Sequence, residues 1–239
     1  MERVFVGLTG GSGHLYADRL IRELVHAGRE VAISITPAGC KVLRHELGVD
    51  AGEDGERLSA ALEGWLGPDV AQRVQAYPAT AVEAPPSSGT SLTGGVVICP
   101  CSMGTLARAA VGFSSNLVER AADVALKERR NLIFVPRETP LSEIHLENML
   151  RLTRLGATIL PAMPGFYHGP REIDDLVGHV VGKVLDRLGL EHGVGARWKG
   201  LPEGDPSEEP AGFEPPGPID APRAPERERG PDSERGERR

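Results

Sequence analysis

Short apolar segments alternate with longer amphipathic segments along most of this chain, and this alternation limits the folds that it can adopt. The apolar segments cover residues 3–9, 31–35, 96–99, 132–135 and 157–160. Each is short and bounded by turn-forming residues, as expected of a buried strand. Strands separated by helices predict an α/β fold with a doubly wound, mostly parallel sheet.

Helical patterns occupy the intervals between these strands. Thr36 suits an N-cap and Pro37 the first helical position, so a helix is predicted from there to about residue 46. Ser142 is predicted to cap another helix, which ends at Gly156. Further helices are predicted after Gly13, over residues 51–67, after Ser102 and over residues 171–188.

The composition excludes several classes of function. The chain has 239 residues, of which 40% are hydrophobic, enough for one well-filled α/β domain. Only 4% are aromatic and the formal net charge is −7, which argues against a nucleic-acid or anionic membrane partner. No apolar stretch approaches the ~20 residues of a membrane span, and no signal-peptide pattern is present. We therefore expect a cytoplasmic protein.

The chain divides into a domain over residues 1–198 and a tail over residues 199–239. The tail is rich in Pro, Glu and Arg and has few large apolar residues, a composition that predicts disorder. The three cysteines, Cys40, Cys99 and Cys101, suit neither a disulfide framework nor a metal-binding pair. The histidines also lack the spacing of metal ligands, so no metal site is expected.

Polar residues follow the predicted strands at the points where the strands end. Ser12, Thr36, Ser102, Arg137 and Glu138 all occupy such positions. Because ligands of open parallel sheets bind beyond the carboxyl ends of the strands, these residues are expected to meet in one crevice. Ser102 also opens a helix, whose free N–H groups and positive dipole end suit an anion.

The loop of residues 10–13 invites comparison with dinucleotide-binding loops, but its spacing differs. In GxGxxG counted from Gly11, the third glycine position is Tyr16. The acidic residue that would bind a ribose after the second strand is also missing, because Ser34 and Thr36 stand there. The hydroxyls fit a phosphate or a flavin edge better, although a tight turn without a ligand is the alternative.

Several charged residues allow either a functional or a plain surface role. Glu138 follows a strand end, and a bound phosphate would favour its protonated form, which makes it a candidate general acid. Glu46 lies at a helix C-terminus, where an acid opposes the helix dipole, so it is either functional or part of a frayed end. Arg120, Lys127 and Lys183 are single cations that could equally be surface residues.

The ordered motifs of the chain resemble the UbiX-type flavin prenyltransferase family (UbiX/Pad flavoproteins). The resemblance covers nearly all of residues 3–198. The matching blocks are residues 9–13, 99–106, 116–117, 120–124, 126–130, 136–138, 145–149 and 164–167. Gly11, Thr36 and Lys183 depart from the common pattern, in which Ala, Ser and often Arg stand at these positions.

The resemblance implies a Rossmann-like or flavodoxin-like three-layer sandwich that assembles into a homododecamer. It implies transfer of a dimethylallyl group from dimethylallyl phosphate to N5 and C6 of reduced FMN, without a metal. The product, prenylated FMN, would serve a UbiD-type decarboxylase. A non-enzymatic FMN carrier and a flavin-dependent phosphopantothenoylcysteine-type decarboxylase are the alternatives. The latter family has a catalytic His after the first loop, which His14 matches in part, but it carries a different block in place of residues 100–103.

The resemblance also assigns roles to individual residues. The implied FMN contacts are Gly10, Gly11, Ser12, Thr36, Ser102, Met103, Gly104, Thr105 and Arg137. The implied contacts of the prenyl phosphate are Tyr167, Lys183, Arg120 and Lys127, with Trp198 helping to close the site. The implied catalytic residues are Glu138 as the acid at the leaving phosphate, Glu46 for proton transfer at the flavin, Lys127 and Ser12.

Overall fold

The computed structural model describes residues 2–91 and 93–195, which contain six strands and eight α-helices. The strands are β1 Arg3–Leu8, β2 Glu30–Ile35, β3 Val74–Pro78, β4 Val96–Cys101, β5 Leu132–Pro136 and β6 Thr158–Ile159. The helices are α1 His14–His26, α2 Pro37–Leu47, α3 Leu58–Leu66, α4 Pro68–Ala71, α5 Met103–Ala110, α6 Leu117–Lys127, α7 Glu143–Arg154 and α8 Ile173–Leu188.

All six strands belong to one parallel sheet in the order β3-β2-β1-β4-β5-β6. This is the Rossmann order, and it confirms the doubly wound sheet expected from the sequence. β2 and β3 lie on one side of β1 in the sheet, and β4, β5 and β6 lie on its other side. The switch point of the topology therefore lies between the carboxyl ends of β1 and β4, where such sheets bind their ligands.

Two apolar layers cover the two faces of the sheet. One layer packs Leu20 and Leu24 of α1 with Val181 of α8 against β1 and β2. The other packs Leu106 of α5 and Val118 of α6 against β4 and β5. The fold is thus a three-layer sandwich, as expected, and its central strands are buried on both faces.

The sequence-based prediction fails between β2 and β4. The helix expected over residues 51–67 begins only at Leu58. Gly55 in the preceding turn has a φ of 89°, and a Cβ there would lie 2.9 Å from Ile35 Cγ2. The turn thus needs glycine at this position, and it interrupts the helix. The edge strand β3 has no counterpart among the predicted strands.

Some of the expectations fall outside the described residues. Trp198 and the tail over residues 199–239 lie there, so the predicted division of the chain stays a prediction. Within residues 2–91 and 93–195, no helix is both long and apolar enough to cross a membrane. In the same part of the chain, no group of three or more His, Cys, Asp or Glu side chains could hold a metal ion.

A buried carboxylate connects α5 with α6. Glu119 is only 1% exposed. It accepts hydrogen bonds from the backbone N–H of Ser115 at 2.8 Å and from its hydroxyl at 2.7 Å, and it pairs with Arg108 of α5. These hydrogen bonds hold the pKa of Glu119 below its usual range, although its desolvation alone would raise it.

We expect Glu119→Ala to lower the free energy of unfolding by about 2 kcal/mol, because a charged, hydrogen-bonded acceptor is lost from a buried position. The matched control is Glu128→Ala, which removes the exposed ion pair with Lys127 and should cause a much smaller loss. The free energies of unfolding of the native protein and the two variants are measured by urea unfolding at the same protein concentration. Equal losses in the two variants would contradict the structural role of Glu119.

Candidate functional site: a crevice between β1 and β4

Thr9 connects the two loops that border the switch point. Its hydroxyl donates a hydrogen bond to the carbonyl of Pro100 at 2.8 Å and accepts one from the backbone N–H of Ser102 at 2.7 Å. The neighbouring loop approaches closely too, because a Cβ on Gly11 would lie 3.3 Å from the backbone of Cys101. The loop after β1 and the start of α5 therefore form one surface.

Glu46 supplies the N-terminal cap of α1, although it belongs to α2. The cap residue Gly13 has no side chain to do so. The Glu46 carboxylate accepts hydrogen bonds from the backbone N–H of His14 at 2.7 Å and from that of Gly13 at 3.0 and 3.1 Å. It also accepts the Ser12 hydroxyl at 2.6 Å. Its position thus has a structural reason, since it faces the N-terminus of a second helix.

The hydrogen bonds to Glu46 decide its charge. Desolvation would raise the pKa of this carboxyl, but the donors on Ser12, His14 and Gly13 outweigh it and hold the pKa below its ordinary value. Glu46 is therefore ionised at neutral pH. A fixed negative charge lies next to the Ser12 hydroxyl, which makes this pair able to orient a donor or to accept a proton.

Two further helix N-termini open at the same edge of the sheet, and both carry hydroxyl caps. Thr36 accepts a hydrogen bond from the Gly39 N–H at 3.2 Å at the start of α2. Ser102 accepts one from the Thr105 N–H at 3.3 Å at the start of α5, and its hydroxyl lies 3.1 Å from Thr105 Oγ1. The predicted cap at Thr36 and the predicted helix start at Ser102 are confirmed, and the pattern suits a phosphate-bearing ligand.

Most of the residues expected to contact FMN are placed around this crevice. Gly10, Gly11 and Ser12 form the loop before α1, and Thr36 caps α2. Met103 and Thr105 are buried in the first turn of α5, whereas Gly104 is exposed. The absence of a side chain at Gly11, the capping hydroxyls and the two helix N-termini fit a flavin mononucleotide, which has a planar ring and a phosphate.

Arg137 and Glu138 follow β5 and are exposed. The backbone N–H of Arg137 lies 3.4 Å from the carbonyl of Cys101, so this pair borders the start of α5. Glu138 accepts the Thr139 N–H at 3.1 Å with one of its carboxylate oxygens. Both side chains are therefore available to a ligand or to another protein chain.

Tyr167 and Lys183 lie on the outer side of α8. The ring of Tyr167 meets that of His179 edge-on, with ring centroids 5.6 Å apart. Lys183 is one turn further along α8, and its charge lowers the pKa of His179, although burial and His168 contribute more. Both predicted substrate contacts thus lie near His179, and both are exposed.

Lys127 is not brought together with the other cations. The Leu117 N–H donates to the Ala79 carbonyl just past β3, so α6 begins at the crevice edge of the sheet. Lys127 ends this helix, about 15 Å away along its axis, and pairs with Glu128. Arg120 pairs with Asp123 on the helix surface. One chain alone thus does not place all four expected phosphate ligands around a single point.

Two residues of the crevice were not predicted as site residues from the sequence. Thr9 could have been recognised as a hydroxyl at the end of a buried strand, but its two hydrogen bonds depend on β4, which lies about 90 residues later. His14 has no sequence signal beyond its place after the glycine loop. The cysteines are free and buried, as expected for packing residues.

The comparisons with known proteins agree with this geometry. Residues 1–185 match the family model described as Flavoprotein. The protein named flavin prenyltransferase UbiX from Alkalihalophilus pseudofirmus is 49% identical over 193 residues, which are 81% of this chain and 94% of that protein.

Two solved structures are similar over most of this chain. AnUbiX (PadA1), in complex with FMN and dimethylallyl pyrophosphate, is 36% identical with a TM-score of 0.72, over 84% of this chain and 98% of that one. A dodecameric FMN-dependent UbiX-like decarboxylase from Escherichia coli O157:H7 is 40% identical with a TM-score of 0.71, over 83% of this chain and all of that one.

We expect Glu46→Gln to lower the free energy of unfolding at pH 7 by about 2 kcal/mol, because the cap of α1 loses its charge. The pKa of Glu46 is lower in the folded protein than its ordinary value of 4.5, so this stabilisation exists above pH 4.5. It disappears as the pH falls through the folded-state pKa. The difference between the two proteins should therefore shrink on acidification.

The control is Glu63→Gln, which changes an exposed carboxylate on α3. It should have little effect on the free energy of unfolding, both at pH 7 and after acidification. A Glu46→Gln variant as stable as the native protein at pH 7 would refute the capping role.

Proposed function

Because this chain belongs to the flavin prenyltransferase family of flavoproteins, we propose that it transfers a dimethylallyl group from dimethylallyl phosphate to N5 and C6 of reduced FMN. The observation that carries the proposal is the Ser12–Glu46 pair, which lies at the switch point of the sheet with two hydroxyl-capped helix N-termini at the same edge. Bond formation at N5 and C6 displaces the hydrogens of these two atoms, so a group that accepts a proton is needed beside the ring.

The residues that would hold FMN are those around the crevice. The loop of residues 10–12, Thr36 and the start of α5 from Ser102 to Thr105 offer backbone N–H groups and hydroxyls, and Arg137 adds a positive charge at the rim. Reduced FMN supplies the nucleophilic nitrogen and carbon that receive the prenyl group. The helix N-termini favour the phosphate end of this ligand.

Glu138 is proposed as the acid that protonates the phosphate of the prenyl donor as it leaves. The group is exposed in a single chain, next to the guanidinium of Arg137 in sequence. Tyr167 and Lys183 would hold the donor from the side of α8. Stabilisation of the charge on the departing phosphate is the largest contribution we expect, because cations and an acid act on the atoms where charge develops.

Glu46 and Ser12 are proposed to handle protons at the flavin. The Ser12 hydroxyl donates to one oxygen of Glu46. Ser12 Oγ can therefore accept a proton from the flavin while it passes its own proton to the carboxylate. The low pKa keeps Glu46 ionised and ready as the acceptor. Ser12 would thus contact the flavin directly, and Glu46 would act behind it.

Assembly is proposed to complete the phosphate site. Lys127 lies at the far end of α6, about 15 Å along the helix axis from the crevice edge, so it would reach a prenyl phosphate held by another copy. Arg120, in the first turn of α6, would join it there. α7 exposes Ile144, Leu146 and Leu150, an apolar surface that an assembled protein would cover. The similar Escherichia coli protein is dodecameric, and we propose the same homododecamer here.

The product would pass to a UbiD-type decarboxylase. Glu138, Tyr167 and Lys183 are all exposed in a single chain, which is compatible with delivery of the product to a partner. The donor is proposed to be the monophosphate, although the similar AnUbiX structure contains the pyrophosphate. The cytoplasmic location, the part of Trp198 in closing the site and the disorder of the tail stay predictions.

The direct test is anaerobic incubation with reduced FMN and dimethylallyl phosphate, followed by mass spectrometry of the flavin. We expect a mass gain of one isoprenyl unit. Glu138→Gln should bind FMN normally and slow the reaction by about 10²-fold or more, because the leaving phosphate is no longer protonated. Glu63→Gln, which changes an exposed carboxylate on α3, is the control and should keep the native rate.

The outcome also separates the alternatives. Tight FMN binding with an unchanged flavin under all conditions would favour the non-enzymatic carrier. Release of CO₂ from phosphopantothenoylcysteine without prenylation would favour the cysteine decarboxylase. Full activity of Glu138→Gln would contradict the role assigned to Glu138 but not the reaction.

A further inference from the structure

The imidazole of His14 is buried without a hydrogen-bond partner. His14 is the first residue of α1 and is 0% exposed. Neither ring nitrogen has a partner, although its backbone N–H binds Glu46. A polar ring with no partner is costly to bury, and such groups often have a role beyond packing.

The nearest charged group is the carboxylate of Glu46. His14 Nδ1 lies 3.6 Å from Glu46 Oε2, the same oxygen that accepts the His14 backbone N–H. Burial lowers the pKa of His14 to about 4, and the smaller opposing effect of Glu46 does not restore it. The ring is therefore neutral at pH 7 and carries one hydrogen, on either Nδ1 or Nε2.

Three donors bond the Glu46 carboxylate, and one of them is shared between its two oxygens. Oε1 accepts the Ser12 hydroxyl, Oε2 accepts the His14 backbone N–H, and the Gly13 N–H is shared between both oxygens. A carboxylate has about four acceptor positions. A hydrogen on His14 Nδ1 would occupy a position on Oε2 if the two atoms approached to about 2.9 Å and the shared Gly13 N–H bonded Oε1 alone, from which it already lies 3.1 Å away.

We propose that His14 is a positioning residue for the Ser12–Glu46 pair: its neutral ring carries the hydrogen on Nδ1 and directs it at Glu46 Oε2. This contact fixes one oxygen of the carboxylate, so that the other, Oε1, stays with the Ser12 hydroxyl. It also adds a donor that favours the ionised form of Glu46. The consequence for turnover rests on the proposed function, whereas the contact itself does not.

The contact is tested without any substrate by ¹⁵N NMR of the imidazole rings in the full-length protein. At pH 7 we expect His14 to carry its hydrogen on Nδ1, and Glu46→Gln to change both ring nitrogen resonances. His26, which is exposed at the other end of α1, should be unaffected. The proposal is overturned if the hydrogen of His14 lies on Nε2 and Glu46→Gln leaves both ring nitrogen resonances unchanged.

Two substitutions then test the position of the donor. His14→Asn keeps an N–H near the position of Nδ1, whereas His14→Gln places its amide near that of Nε2. Loss of the donor raises the pKa of Glu46, so the acid limb of the pH dependence of kcat should move up by about one pH unit in His14→Gln. His14→Asn and the control His26→Gln should keep the native profile.

The outcomes separate this inference from the proposed function. Equal pH profiles of His14→Asn and His14→Gln would contradict the positioning role. If neither variant folds, the NMR result on the native protein and on Glu46→Gln decides. A native protein that has the Nδ1 hydrogen but prenylates no flavin would support the contact and contradict the proposed function.

Discussion

The crevice depends on one interaction, the capping of α1 by a carboxylate from α2. Glu46 joins the two helices on one side of the switch point, and its hydrogen bonds to Gly13 and His14 fix the loop that follows β1. The same charge faces the Ser12 hydroxyl at 2.6 Å. The carboxylate that caps α1 is therefore also the proposed proton acceptor, so a change at Glu46 is expected to alter both roles.

The direction of the parallel strands decides which other residues can join this pair. Residues that follow β1, β2, β4 and β5 meet at one edge of the sheet, which gathers Ser12, Thr36, Ser102 and Arg137. A helix that connects two parallel strands runs back from the carboxyl end of the first strand, so it ends at the edge of the sheet where the strands begin. Lys127 is at the end of such a helix, so a site that uses both Lys127 and Glu138 must combine two chains.

The sequence predicted the elements whose signals are local. β1, β2, β4 and β5 are continuous apolar runs buried on both faces, and Thr36, Ser102 and Ser142 are caps that act three residues along the chain. β3 was missed because it is a five-residue edge strand ending in proline. The capping role of Glu46 could not be predicted, since its partners are more than 30 residues away in the chain.

Subunit complementation tests the central claim, that the flavin is prenylated at a site shared between copies. Lys127→Ala and Glu138→Gln should each be nearly inactive alone. Co-expressed in one assembly, they should recover part of the activity, because some sites then receive both native residues. Arg137→Ala with Glu138→Gln, two changes at the same end of β5, should recover none. The account would be contradicted if the co-expressed Lys127→Ala and Glu138→Gln variants showed no more activity than either variant alone.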